Sequence, residues 1–165
     1  MSRKINTKDL VQKIEKLTKE RMSASDVVSM DDLRKLRDKK TQNTILIIED
    51  DETIRAALKR VFEGEGYRVL AAADGTQLSS VLDDAPVDLI MLDIGLPWIN
   101  GYELAEMMKG HKDLKDIPLV FLSARTSDAD VKRGFDVGAD DYIKKPFDIE
   151  KVKRTVNTLI HLNEG

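Results

Sequence analysis

Asp88-Leu89-Ile90-Met91-Leu92-Asp93-Ile94-Gly95-Leu96-Pro97 is the stretch on which the fold turns. Four apolar residues, Leu89 to Leu92, run without a polar break and stop at a carboxylate, and Gly95 and Pro97 then interrupt any regular element. An all-apolar run of strand length with turn residues behind it reads as a strand buried on both faces of a parallel sheet. Such a strand delivers Asp93 to its carboxyl end, the edge where open α/β sheets place their ligands.

The flanking chain repeats the same arrangement. Upstream, Ile45–Ile48 is an apolar run ending in Glu49-Asp50-Asp51, followed by a helix face of Ile54, Leu58, Val61 and Phe62 closed by Gly64 and Gly66. Tyr67–Ala72 reads as a second strand, and Asp74-Gly75 opens a short helix carrying Leu78, Val81 and Leu82 that stops before Pro86. Downstream, a helix from about Gly101 to Lys109 carries Leu104, Met107 and Met108. Leu119–Leu122 is a fourth strand ended by Ser123, and Ser127 with Asp130 caps a helix of Val131, Phe135 and Val137. Asp141–Lys144 is a fifth strand, and Asp148 caps a last helix striped by Ile149, Val152, Val156, Leu159 and Ile160. Five βα units in succession predict an α/β fold, a doubly wound five-stranded parallel sheet with right-handed crossovers.

Residues 1–41 are built differently. They hold twelve Lys and Arg against seven Asp and Glu, whereas residues 42–165 hold fifteen against twenty-three. Leu10, Val11, Ile14 and Leu17 recur at helical spacing, and Ser29 with Asp32 forms a capping box ahead of Leu33 and Leu36. The expectation is a basic helical extension over 1–41, used for docking or dimerisation, joined to a main domain over 42–165. Two short amphipathic helices are marginal alone in water, so they need a surface to pack on. A Lys-rich solvated face is the plainer reading of the charge than contact with nucleic acid.

The totals exclude several chemistries. With 41% hydrophobic and 35% charged residues the composition is globular. The absence of Cys removes disulfides, thiolate metal sites and Cys nucleophiles, and agrees with an expected cytoplasmic location. Apolar runs of strand length and an N-terminus without an apolar core predict no membrane span and no secretory signal. His111 and His161 are isolated, and no Gly-rich nucleotide loop is present.

All strand carboxyl ends of a parallel sheet share one edge. Glu49-Asp50, Asp93, Ser123 and Lys145 each stand where an apolar run ends, so they are expected to meet there. Converging carboxylates repel one another unless a cation sits among them, and hard oxygen ligands of this kind suit Mg²⁺ completed by phosphate oxygens. The Gly95 carbonyl is placed to add a neutral ligand. Asp93 then becomes a candidate nucleophile toward phosphorus, with Lys145 and Ser123 serving the transferred oxygens. Taken singly, a strand-end aspartate is more often a turn or cap residue, and an aromatic such as Tyr142 on an edge strand can simply pack.

Ile45–Asp51, Asp88–Gly101, Leu122-Ser123-Ala124 and Asp141–Phe147 together resemble the receiver domain of bacterial two-component response regulators, over about residues 43–163. The resemblance implies a flavodoxin-like strand order 2-1-3-4-5. It implies that Asp93 is the phosphoacceptor and that Asp50, Asp93 and the Gly95 carbonyl bind Mg²⁺ directly, with Glu49 acting through water. Ser123 would be the switch hydroxyl, Lys145 the lysine that contacts the phosphoryl group, and Tyr142 the aromatic that swings inward. Gly95 departs from the family, many members of which carry a polar side chain there.

The function expected is therefore phosphoryl acceptance from a histidine kinase or phosphotransfer protein, relayed to a downstream protein target, with no turnover beyond its own phosphotransfer and autodephosphorylation. The ending of the chain soon after the last helix adds the expectation of a stand-alone receiver with no built-in DNA-binding domain, and the extension leaves a homodimer open. Two alternatives stand beside it: a phosphatase-like hydrolase with an Asp nucleophile, and a phosphate-independent adaptor working through residues 1–41. A hydrolase of that kind usually has a second carboxylate two residues after the nucleophile, and here that position is Gly95.

Overall fold

A computed structural model describes residues 42–84 and 86–163. The expected basic helical extension over 1–41 lies outside the described residues. The main chain runs β1 (Thr44–Ile48), α1 (Glu52–Gly64), β2 (Arg68–Ala72), α2 (Gly75–Asp84), β3 (Leu89–Leu92), α3 (Gly101–Lys109), β4 (Leu119–Ser123), α4 (Asp128–Asp136), β5 (Asp141–Lys144) and α5 (Ile149–Asn163). The five strands form one sheet in the order β2-β1-β3-β4-β5, every pair parallel. This is the expected doubly wound fold and strand order.

Period-two alternation within strands that are apolar throughout splits the core into two layers. Leu46, Ile48, Ile90, Leu92 and Phe121 pack on one side with Leu78 of α2 and Tyr102, Leu104, Ala105 and Met108 of α3. Ile45, Ile47, Leu89, Met91, Val120, Leu122 and Ile143 pack on the other with Leu58 and Phe62 of α1 and Val152, Val156 and Ile160 of α5. Each large aliphatic or aromatic side chain so buried contributes about 1.5–3 kcal/mol. Helix starts are fixed by side-chain caps: Asp51 accepts from the Ile54 amide at 3.1 Å, Asp74 from Gln77 at 2.8 Å, Asn100 from Tyr102 at 2.8 Å, Ser127 from Asp130 at 3.1 Å and Asp148 from Glu150 at 2.9 Å.

Two expected core residues are not in the core. Met107 is 64% exposed because Tyr102, Leu104, Ala105 and Met108 already fill the buried face of α3. Phe135 is 45% exposed because α4 turns its neighbour Gly134 inward instead, against the Tyr142 ring. Among the described residues no helix is long and apolar enough to cross a membrane.

Candidate functional site

Register builds the site. Ile48 lies opposite Leu92 in the β1–β3 pair, so Glu49 and Asp93 leave the sheet side by side, and the Asp93 amide donates to the Ile48 carbonyl at 3.0 Å. Ser123 lies opposite Lys144 in the β4–β5 pair, which places Lys145 one residue beyond the sheet, its amide on the Ser123 carbonyl at 2.8 Å. The Lys145–Pro146 peptide is cis.

Glu49, Asp50 and Asp93 each present a carboxylate oxygen, and these three oxygens lie within 4.8 Å of one another. Glu49 and Asp93 are buried, Asp50 is exposed. The Lys145 ammonium donates to Glu49 Oε2 at 2.9 Å and stands 3.7 Å from Asp93 Oδ1. Glu49 Oε1 accepts from the Asp51 amide at 3.2 Å. Burial pushes the Glu49 carboxyl above the usual carboxylate range; the hydrogen bond from Lys145 opposes this, and the Asp93 charge adds to it. Asp93 Oδ1 accepts a long bond from the Gly95 amide at 3.3 Å, and among the described residues no donor reaches its other oxygen. That oxygen keeps its lone pairs for an incoming electrophile or cation.

Four of the seven residues singled out in the sequence, Glu49, Asp50, Asp93 and Lys145, thus form one cluster. Gly95 stands beside Asp93, exposed, and a side chain placed there would meet nothing within 4 Å. Ser123 ends β4 almost wholly buried, its Oγ accepting from the Arg125 amide at 3.1 Å. Tyr142 is buried, and its hydroxyl donates to the Arg125 carbonyl at 2.5 Å. One residue, Arg125, is therefore held through its amide by Ser123 and through its carbonyl by Tyr142. Burial raises the Tyr142 phenol to about 12. An all-oxygen donor set of three carboxylates fits a hard divalent cation that retains water, such as Mg²⁺.

Two further contributors, Arg55 and Tyr102, carried no signal strong enough to find in the sequence. Arg55 sends Nη1 to the Glu49 carbonyl at 2.9 Å and the Asp50 carbonyl at 3.2 Å. Tyr102 packs edge-on against Phe121 and donates to the Asp130 carbonyl at 2.9 Å, with the Arg133 guanidinium 4.4 Å above its ring. Phe121 in turn meets Tyr142 at 5.9 Å, so three rings run beneath α4. Trp98, half-buried, donates to the Ala73 carbonyl at 3.2 Å and rests on Gly75, tying the loop after β3 to the loop after β2.

Comparison with known proteins agrees with this geometry. The family model described as response regulator receiver domain matches residues 45–157. The aerobic respiration control protein ArcA of Escherichia coli K12 is 41% identical over 103 residues, 62% of this chain and 42% of ArcA. The transcriptional regulatory protein YvrH of Bacillus subtilis is 45% identical over 105 residues, 63% of this chain and 43% of YvrH. The crystal structure of the receiver domain of sensor histidine kinase PA1611 from Pseudomonas aeruginosa PAO1, with a magnesium ion coordinated in its active site cleft, superposes with TM-score 0.65 at 26% identity, over 73% of this chain and 99% of that one.

These relatives overturn one expectation. The chain spans half or less of the length of the curated relatives it matches, and one of them is a transcriptional regulator by name. The reading of a stand-alone receiver with no DNA-binding domain is therefore withdrawn. It rested on where the sequence stops, and receivers of this kind occur as parts of longer regulators.

Proposed function

The chain belongs to the response regulator receiver domain family, and from that premise we propose that Asp93 accepts a phosphoryl group from a histidine kinase or phosphotransfer protein. An Asp93 carboxylate oxygen attacks phosphorus as the phosphorus–nitrogen bond to the donor imidazole breaks. The imidazole nitrogen keeps the bonding pair and takes up a proton, and Asp93 becomes an acyl phosphate. Positioning and charge neutralisation supply most of the catalysis in such a transfer.

Asp50, Asp93 and the Gly95 carbonyl would hold Mg²⁺ directly and Glu49 through water; the bound ion supplies positive charge to the transferring oxygens. Lys145 adds an ammonium from the opposite flank, between Glu49 and Asp93. The Ser123 hydroxyl turns from the Arg125 amide toward the phosphoryl group, which frees that amide and shifts the loop beyond β4. Tyr142 already points inward on the Arg125 carbonyl, so acceptance of phosphate acts as a population shift toward this placement, read out at the α4–β5–α5 surface. No substrate beyond its own phosphoryl group is turned over, and the setting is cytoplasmic, in keeping with the Cys-free composition.

The observation that carries this reading is the convergence of Glu49, Asp50, Asp93 and Lys145 on one rim. Gly95, two residues beyond Asp93, lacks the general acid a phosphomonoester hydrolase needs, which disfavours that alternative. The test is incubation with a small acyl phosphate, with and without Mg²⁺, followed by intact mass. One phosphoryl group per chain is expected with Mg²⁺, none without it and none in Asp93→Asn. Labelling that persists in Asp93→Asn refutes the assignment.

A further inference from the structure

We propose that Arg55 is a positioning residue that holds the acidic turn after β1 in the geometry its carboxylates need. The proposal rests on the reading of that turn as a Mg²⁺ site. Arg55 lies one turn into α1, its own amide closing the first helical bond to the Asp51 carbonyl at 2.9 Å. Its side chain folds back toward the strand end, half-buried, and Nη1 donates to the carbonyls of both Glu49 and Asp50. Among the described residues it pairs with no carboxylate, although the acidic cluster is close by.

Two consecutive carbonyls facing one nitrogen place their dipoles nearly side by side, an arrangement that repels without a cation beside it. The guanidinium removes that repulsion and fixes both peptide planes, and with them the directions in which the Glu49 and Asp50 side chains leave the backbone. The turn is further held by the Asp51 amide on Glu49 Oε1 and by Asp51 capping α1. Arg55 thus acts on ligand directions without touching the cation, as outer-shell partners of a metal do.

The sign of one measurement separates this role from a plain charge effect. If Arg55 mattered only as a nearby positive charge, its removal would leave the rim more negative and tighten Mg²⁺. If it positions the turn, removal weakens Mg²⁺. Calorimetric titration with Mg²⁺ alone is carried out on the full chain, Arg55→Met and Arg55→Lys. Arg55→Met, which keeps the aliphatic stem, is expected to bind about tenfold more weakly, and Arg55→Lys, which keeps the charge without the planar fork, to fall between. A second arm needs no metal: amide exchange at 50–52 should accelerate in Arg55→Met while the strand amides keep their protection. Binding as tight as the parent or tighter in Arg55→Met, or unchanged exchange at 50–52, overturns the proposal. A parent that binds no Mg²⁺ while exchange still accelerates sinks the metal reading and leaves the positioning role standing. Should Arg55→Met fail to fold, Arg55→Lys decides, since positioning requires weaker binding despite retained charge.

Discussion

Replacing Gly101 by Ala should damage both stability and phosphoryl acceptance, although Ala is the better helix former. Gly101 is the first residue of α3, and its amide donates to the Ile94 carbonyl at 3.0 Å. A Cβ there would stand 2.4 Å from Ile94 Cα and 2.6 Å from the Asp93 carbonyl oxygen. Non-bonded carbon contacts settle at about 3.5–4.0 Å, so helix and loop must part by roughly 1 Å, and backbone atoms on both sides leave no rotamer to absorb it. Overpacking costs about 1–3 kcal/mol where side chains can yield; a backbone clash belongs at the upper end. Helix propensity returns at most ~1 kcal/mol. The net loss is about 2 kcal/mol, or a urea midpoint lower by about 1 M for an ordinary slope. Gly64→Ala and Gly95→Ala serve as controls, because neither new methyl would meet anything within 4 Å. The displaced segment carries Asp93, so labelling by acyl phosphate should slow in parallel. Gly101→Ala as stable as the parent and labelled at the parental rate would refute the close-approach argument.

Two further outcomes follow from the same rim. Mg²⁺ should stabilise the folded chain by mass action, by about 2.7 kcal/mol at a hundred times its dissociation constant, and thermal melts of Asp50→Asn should show little of that gain. Tyr142, whose phenol burial raises to about 12 from 10.0, makes a contribution to stability that is complete below pH 10 and is lost as pH rises from 10 to 12, because the unfolded phenol ionises first. Tyr142→Phe should flatten that alkaline loss in denaturation midpoints measured across the interval; an equally steep loss in the variant would show that other groups cause it.

The sheet was legible because its strands are apolar throughout and end abruptly. Leu89–Leu92 with Asp93, and Leu119–Leu122 with Ser123, state both element and edge in a few residues. Period-two burial within such runs cannot be seen from composition, but it needs no signal, since both faces are covered. Helix faces were less legible. Met107 and Phe135 fit helical spacing yet sit outside, because spacing does not say which of two overlapping stripes the sheet will take. The site was legible wherever a residue's backbone position alone fixes its place, as for Glu49, Asp93 and Lys145. It was illegible wherever a long side chain folds back on the main chain. Arg55 reads as one more exposed cation on α1, and nothing in its spacing announces two carbonyl acceptors.

Carboxylates on the two ends of the sheet show why position rather than residue type decides chemistry here. Before β3, Asp88 accepts the Thr44 amide at 2.7 Å while its own amide donates to the Thr44 carbonyl at 2.8 Å. Before β5, Asp140 does the same with Leu119, at 2.8 Å in each direction. Both close strand ends whose backbone groups would otherwise lack partners, and their oxygens are committed to structure. At the carboxyl end the strands run out with their amides already bonded inside the sheet, so among the described residues the Asp93 carboxylate receives from the backbone only the long bond of Gly95. Glu49 and Asp93 must then share a single ammonium, and Lys145 sits nearer Glu49. Among the described residues, three carboxylates against the Lys145 ammonium and the Arg55 guanidinium still leave an excess of negative charge on a rim that is to receive a still more negative phosphoryl group. That imbalance, set by strand direction, is the physical reason to expect acceptance at Asp93 to depend on a divalent cation.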